Sequence, residues 1–444
     1  MKKIQLSEHF HYGKLLRFTF PSIVMMVFTS IYGVVDGIFV SNFAGKQAFA
    51  AINLIMPYLM MFGTFGIMVG TGGTALVSMT LGTGDEKRAN AIFSQLIYAT
   101  LIGGAVMTVA GILCLRPAAI LLGAEGSTVD LCVRYGLFVL PALPAFLLQN
   151  AFQSFCVAAE KPNLGLGLTV AAGVANIVLD WLFVGVLQGG LEGAAVATAI
   201  SQCVGGIVPL VYFARKNASP LRLTRAKIEL WVLGRTCTNG SSELMSNLAL
   251  SIVSMLYNLQ LMTYAGEDGV AAYGVIMYVS FIFIAVFLGY SIGVAPLIGY
   301  HYGADNRQEL KNLFRKSLTI IGVLSLGMTA VALALSGVLA SIFVGYDGAL
   351  FSMTRRAFAI YSLSFLVSGI SIYGSSHFTA LNNGLISAAI SFLRALVFQS
   401  AAVLLLPLVW GLDGVWFSIL VAEAISAGLT VACFIAFRRR YHYA

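Results

Sequence analysis

Twelve stretches of this chain run for about 20 residues or more with almost no charge, and this spacing limits what the chain can fold into. Between Asn90 and Arg116, and again between Ile386 and Leu412, at most one residue short of the closing position is charged. A helix of about 20 apolar residues spans the ~30 Å hydrocarbon core of a bilayer. Only 10% of the 444 residues are charged and 59% are hydrophobic, against about 25% charged in soluble domains. A water-soluble fold of this size cannot cover itself with so few charges. The mean hydropathy of +0.89 agrees. The chain reads as an all-α, polytopic membrane protein, because helices satisfy their own backbone groups in lipid.

Breakers and charge clusters place the spans near 15–40, 49–80, 90–115, 131–155, 164–187 and 191–214 in the first half. The second half gives 230–263, 270–300, 312–343, 350–378, 385–408 and 412–437. With the N-terminus in the cytoplasm, 20 of the 26 Lys and Arg residues fall on the inner side. The positive-inside rule then puts both termini there. The net charge of +8 comes from these loop anchors and does not indicate nucleic-acid binding. The polar start of the chain lacks a cleavable apolar segment, so the first span is expected to act as the anchor.

Sliding the sequence against itself by 221 positions aligns its halves without a gap. Over Ala44–Phe93 against Ala265–Phe314 there are 11 identities in 50, and the same offset sets GLEGA at Gly190 on GLDGV at Gly411. The expected division is an N-lobe over 1–214, a cytoplasmic linker over 215–229 and a C-lobe over 230–444. Six spans per copy make the repeats parallel, related by a pseudo-two-fold axis along the membrane normal. Such repeats usually hold a substrate site at their interface, which makes a transporter the leading reading. An enzyme would need a signature that is missing: GTGDEKR at Gly82–Arg88 lacks phosphate-loop spacing, and there is no HExxH. The six cysteines show no CxxC spacing and read as small buried hydrophobes.

Carboxylates inside spans are costly and mark ion pathways, at about 2.5–3.5 kcal/mol each at mid-membrane. Asp36, Asp180, Glu243 and Glu423 are such residues. Asn176 precedes Asp180 by four positions and shares its helical face. At 1.5 Å per residue, Asp36, Asn176, Asp180 and Thr198 fall in one layer of the outer half. Their oxygens suit Na⁺, or a carboxylate pair sharing a proton. Glu243, among small polar residues at mid-span, is a candidate for the substrate cavity or a second proton site. Gln149, Gln153 and Met56 are candidates for the cavity wall. Glu423 reads as a helix contact, Arg394 as a residue snorkelling inward, and His301 as interfacial.

Pro21 and Asp36 in the first span, GLEGAAVAT at Gly190–Thr198, the NGSSELMSN segment and the TALNNG turn at Thr379–Gly384 together resemble the multidrug and toxic compound extrusion (MATE) family. The resemblance runs over nearly the full length and is strongest to its bacterial multidrug-exporter branch. It implies two lobes around a central cavity. It also implies a secondary antiporter in a bacterial plasma membrane, acting as a monomer without a cofactor. Such a protein exports amphipathic, often cationic drugs or metabolites in exchange for H⁺ or Na⁺. The family's N-lobe cation site corresponds to Asp36, Asn176, Asp180 and Thr198, and a glutamate used by some members corresponds to Glu243. No Asp or Glu occurs between Gly348 and Leu412, so a complete C-lobe ion site is not expected. A lipid-linked oligosaccharide flippase of the same superfamily is the alternative. Such proteins carry strongly basic cavities, whereas the charges within these spans are mainly acidic.

Overall fold

The computed structural model describes residues 4–39, 46–345 and 347–444, with side chains at all of them except 33–39, 46 and 49. Among these residues the fold is helical throughout. The first six spans are α1 (Tyr12–Phe39), α2 (Lys46–Gly82), α3 (Glu86–Leu121), α4 (Ser127–Ala158), α5 (Pro162–Val186) and α6 (Gly190–Ala214). An unbroken helical run over Leu230–Gly303 is too long for one crossing; at 1.5 Å per residue it would reach roughly 110 Å. It turns at Gly266, where φ 62° and ψ −151° interrupt the helix, giving α7 (230–265) and α8 (267–303). Then follow α9 (Arg307–Val344), α10 (Gly348–Ser362 and Phe365–Ala380, bent by 48°), α11 (Gly384–Leu405) and α12 (Pro407–Tyr441). Splitting the longest helix and counting the bent pair as one crossing gives the twelve expected spans.

The repeat seen in the sequence returns as local geometry. Asp85 caps α3 by accepting from Arg88 N, and Asn306, 221 positions later, caps α9 by accepting from Glu309 N. The residues just before them, Gly84 and Asp305, are both left-handed, at φ 83° and 49°. Gly190 and Gly411 also form an equivalent pair, at φ 53° and 57°. The bend of α10 answers a tight turn at Leu140–Ala142 inside α4, beside Pro141 and Pro144. The fifth span of each lobe carries a π turn: Trp181–Val186 in α5 and Leu393–Phe398 in α11. Such one-turn widenings frequently sit at functional sites.

The lobes meet along α1 and α2 of the first and α7 and α8 of the second. Their closest approach needs residues without side chains. A methyl group on Gly72 would overlap the Thr236 carbonyl, and one on Gly240 the Met68 carbonyl; Gly82 and Gly303 stand likewise against Tyr300 and Met79. These contacts lie in the halves of the helices nearest the chain termini. Every hydrogen bond between the lobes among the described residues lies at that end. Asn382 Nδ2 donates to the Ala75 carbonyl at 3.1 Å and to Met79 Sδ at 3.4 Å. The N-terminal segment crosses to the other lobe, where Phe10 N and His9 Nδ1 bond the Glu309 carboxylate at 2.9 and 2.6 Å. Leu6 and Phe10 are buried with it. His301, expected at the interface with solvent, is 1% exposed, because this segment folds back over the end of α8.

The connection between the lobes is strapped along α3. Asn90, Ser94 and Gln95 accept from the backbone N–H groups of Arg222, Thr224 and Glu229 at 2.6–2.8 Å. Arg88 forms a two-pronged pair with Glu229 at 2.6 and 2.7 Å. The adjacent guanidinium holds the Glu229 carboxyl below the usual carboxylate range.

Candidate functional site

Above the glycine seam a cavity of about 380 Å³ opens between the lobes. Most of its wall belongs to the second lobe. The helices there reach it with a file of small polar residues and a belt of aromatics: Ser246, Ser254, Ser364 and Ser368 beside Tyr257, Tyr273, Phe281 and Tyr361. Tyr257 and Tyr273 stack at 4.9 Å with planes 7° apart. The first lobe contributes Met26, Thr71, Asn150 and Gln153 among others. A wall that is mostly apolar with a few convergent polar groups is the usual form of a small-molecule site.

Three charged residues line the cavity: Glu243, Arg394 and Glu423. Arg394, within the π turn of α11, directs Nε at both Glu423 oxygens on α12, each at 3.0 Å. Glu423 is 2% exposed and the Arg394 side chain 18%. Arg394 therefore does not snorkel to the membrane surface, as expected from its sequence; it is held inside by an interhelical ion pair. The reading of Glu423 as a helix contact agrees with this pair. The sequence did carry a signal, since charges buried in membranes pair with one another. However, these two stand 29 positions apart on different helices. Glu243, half-buried on α7, forms no side-chain hydrogen bond or ion pair among the described residues. Its carbonyl accepts from Asn247 Nδ2 at 2.9 Å.

The other candidates divide by place. Gln153 is on the central cavity and also on a small gap toward α5 and α6, which Gln149, one turn earlier, lines with Thr169 and Gly205. The bare Cα of Gly205 brings α6 against the Gln149 amide. Met56 likewise faces a separate small gap within the first lobe, together with Thr198 and Gln202.

Asp36 lies outside the residues whose side chains are described. Asn176 and Asp180 are 2% and 0% exposed. Gly173, three positions before Asn176 and seven before Asp180, abuts Phe28 and Tyr32 of α1. The helical face carrying all three is thus the face toward α1. Asn176 Nδ2 has no hydrogen-bond partner among the described residues. A buried amide donor and a fully buried carboxylate on one face, directly before a π turn, form a polar centre within the first lobe. Burying such groups is costly unless a partner satisfies them.

The family model MatE matches residues 21–182 and 244–402. The multidrug export protein MepA of Staphylococcus haemolyticus (strain JCSC1435) is 25% identical over 428 residues, covering 96% of this chain and 94% of that one. Two solved structures superpose with TM-scores of 0.91, each covering 99% of this chain and 98% of the other. One is a MATE protein in complex with MaL6, at 23% identity. The other is the outward-facing conformation of a multidrug resistance MATE family transporter of the MOP superfamily, at 22% identity.

Proposed function

The chain belongs to the MatE family, and from that premise we propose that it is a multidrug efflux antiporter of a bacterial plasma membrane, exporting amphipathic small molecules against inward flow of H⁺ or Na⁺. The observation that carries this reading is the cavity between two repeat-related lobes, closed at one end by the glycine seam. With both termini in the cytoplasm, as the charge distribution favours, the closed end faces inward and the cavity faces outward. Rocking of the lobes about the seam then presents the same wall to either side in turn.

Coupling is assigned to the first lobe. Asp180 and Asn176 face α1, which also carries Asp36, and Thr198 lies on the neighbouring α6. Neutralising this centre with an incoming cation favours drug release; restoring its charge favours reloading. One charge moving through 100 mV is worth about 2.3 kcal/mol, and each tenfold concentration ratio costs about 1.4 kcal/mol. Exchange of one H⁺ for a monovalent cationic drug is electroneutral, so the ion gradient alone drives it.

The test is efflux of a fluorescent cationic dye from proteoliposomes under imposed Na⁺ or H⁺ gradients, with Asp36→Asn as the control. Dye movement driven by one gradient, and lost in the variant at unchanged protein yield and monodispersity, is the expected result. Gradient-independent or absent movement in the wild type overturns the antiporter assignment.

A further inference from the structure

The connection between the lobes carries a run of positive charge that nothing in the fold offsets. Arg215, Lys216, Arg222, Arg225 and Lys227 fall within thirteen residues, and no Asp or Glu occurs from 215 to 228. All five are exposed, and none joins an ion pair among the described residues. Glu229, the first carboxylate to follow, is taken by Arg88. A free loop of this composition would be a solvated tail, but this one is fixed in place. Besides the bonds from Asn90, Ser94 and Gln95, Tyr98 Oη donates to the Thr224 carbonyl at 3.0 Å and Asn90 Nδ2 to the Pro220 carbonyl at 3.3 Å. Leu221 is fully buried. The backbone is therefore ordered before any ligand arrives, which removes part of the entropic cost of binding one.

The level of the run is set by α3. Its 36 residues make a helix of roughly 54 Å, against ~30 Å of hydrocarbon, so α3 overshoots the apolar layer. The connection is bonded to its first turns, between Asn90 and Tyr98, which puts the basic run at the level of the headgroups. The chain then enters α7 through Ile228, Leu230 and Trp231, which are 46%, 82% and 63% exposed. Apolar residues left uncovered by protein at the start of a span are covered by lipid, and tryptophan concentrates at that boundary. Guanidinium holds phosphate oxygens with two parallel bonds, and each Lys or Arg near a membrane surface raises the affinity for anionic lipid by about 5-fold. We propose that this connection and the start of α7 form a binding site for anionic phospholipid. The headgroup phosphate meets the run from Arg222 to Lys227, and the acyl chains lie along Leu230 and Trp231. A phosphatidylglycerol headgroup brings a phosphate without a cation of its own, whereas phosphatidylcholine neutralises its phosphate itself.

Brominated lipids quench tryptophan fluorescence on contact, so they report which lipid lies against a given tryptophan. A variant keeping Trp231 alone of the four tryptophans (Trp181→Phe, Trp410→Phe and Trp416→Phe) is reconstituted in mixed phosphatidylglycerol and phosphatidylcholine, with either one brominated. Trp231 is expected to select phosphatidylglycerol by about 5- to 25-fold, the contribution of one to two basic residues. Arg222→Gln, Arg225→Gln and Lys227→Gln together should bring the ratio close to one. A variant keeping Trp410 alone, at the opposite end of the spans, should show no selection. Equal quenching at Trp231, the same selection at Trp410, or a selection that survives the three Gln substitutions overturns the proposal. Its loss to glycerol 3-phosphate at constant ionic strength also overturns it, since the site would then serve a soluble phosphate. With all four tryptophans in place, the melting temperature in phosphatidylglycerol nanodiscs should exceed that in phosphatidylcholine nanodiscs. The three Gln substitutions should abolish that difference and leave the phosphatidylcholine value unchanged; equal melting temperatures in the wild type reject the site.

Discussion

Asn382 commits its side chain to the seam between the lobes. It donates to Ala75 and Met79 of α2, and its Oδ1 accepts from Asn239 of α7 at 2.6 Å. Its own carbonyl accepts from Arg235 at 2.5 Å, and its backbone is left-handed, at φ 56°, a conformation asparagine tolerates better than most residues. Asn382→Ala leaves the Ala75 carbonyl short of a donor in a buried place, at a cost of about 1–3 kcal/mol borne by the closed seam. The expected outcome is faster alkylation of a cysteine placed at the seam; unchanged reactivity would show that the seam does not depend on this residue. At this scale the sequence was partly legible. Glu243 and Gln153 were found on the central cavity because polar groups in a span need a reason to be there. The Arg394–Glu423 pair was not found, since it depends on the relative rotation of two helices, which a one-dimensional pattern does not encode. Gln149 and Met56 line small gaps within the first lobe, a placement that also depends on how the helices are rotated.

Span positions were legible from hydropathy, and their approximate ends from breakers and charge clusters. The breaks inside helices were less so. Pro141 and Pro144 announce the turn in α4, but its counterpart at Leu363 and Ser364 has no proline and is recognisable only by repeat symmetry. The strap along α3 has a pH signature. Because the folded Glu229 carboxyl lies below its ordinary value, its pair with Arg88 contributes fully above the unfolded carboxylate range. That contribution is lost as pH falls through the folded value. Glu229→Gln should lower the melting temperature of the detergent-solubilised protein slightly at neutral pH, with the difference closing as the medium is acidified. A difference that persists at low pH would assign the effect to something other than the ion pair.

For the whole molecule, two bundles touch where backbone meets backbone, and the cavity lies on one side of that contact. Gly72 and Gly240 set the distance between the lobes, so Gly72→Val should force them apart at the terminal end. Overpacking of this kind costs about 1–3 kcal/mol, which moves a two-state population by roughly 5- to 150-fold. Spin labels on the terminal ends of α2 and α7 should report a longer mean separation in the variant, with transport slowed. An unchanged distance distribution would mean that the seam is not the pivot.

The π turns of α5 and α11 have a mechanical consequence. Each is a dislocation in a one-dimensional lattice, one surplus residue within an otherwise regular winding. A dislocation can glide: shifting it by one turn rotates the side chains it passes by roughly 100°, while both ends of the helix stay anchored. Asp180 stands at the edge of one such defect and Arg394 within the other. Each lobe therefore has a charged residue next to or within the one place in its fifth span where the winding is not regular.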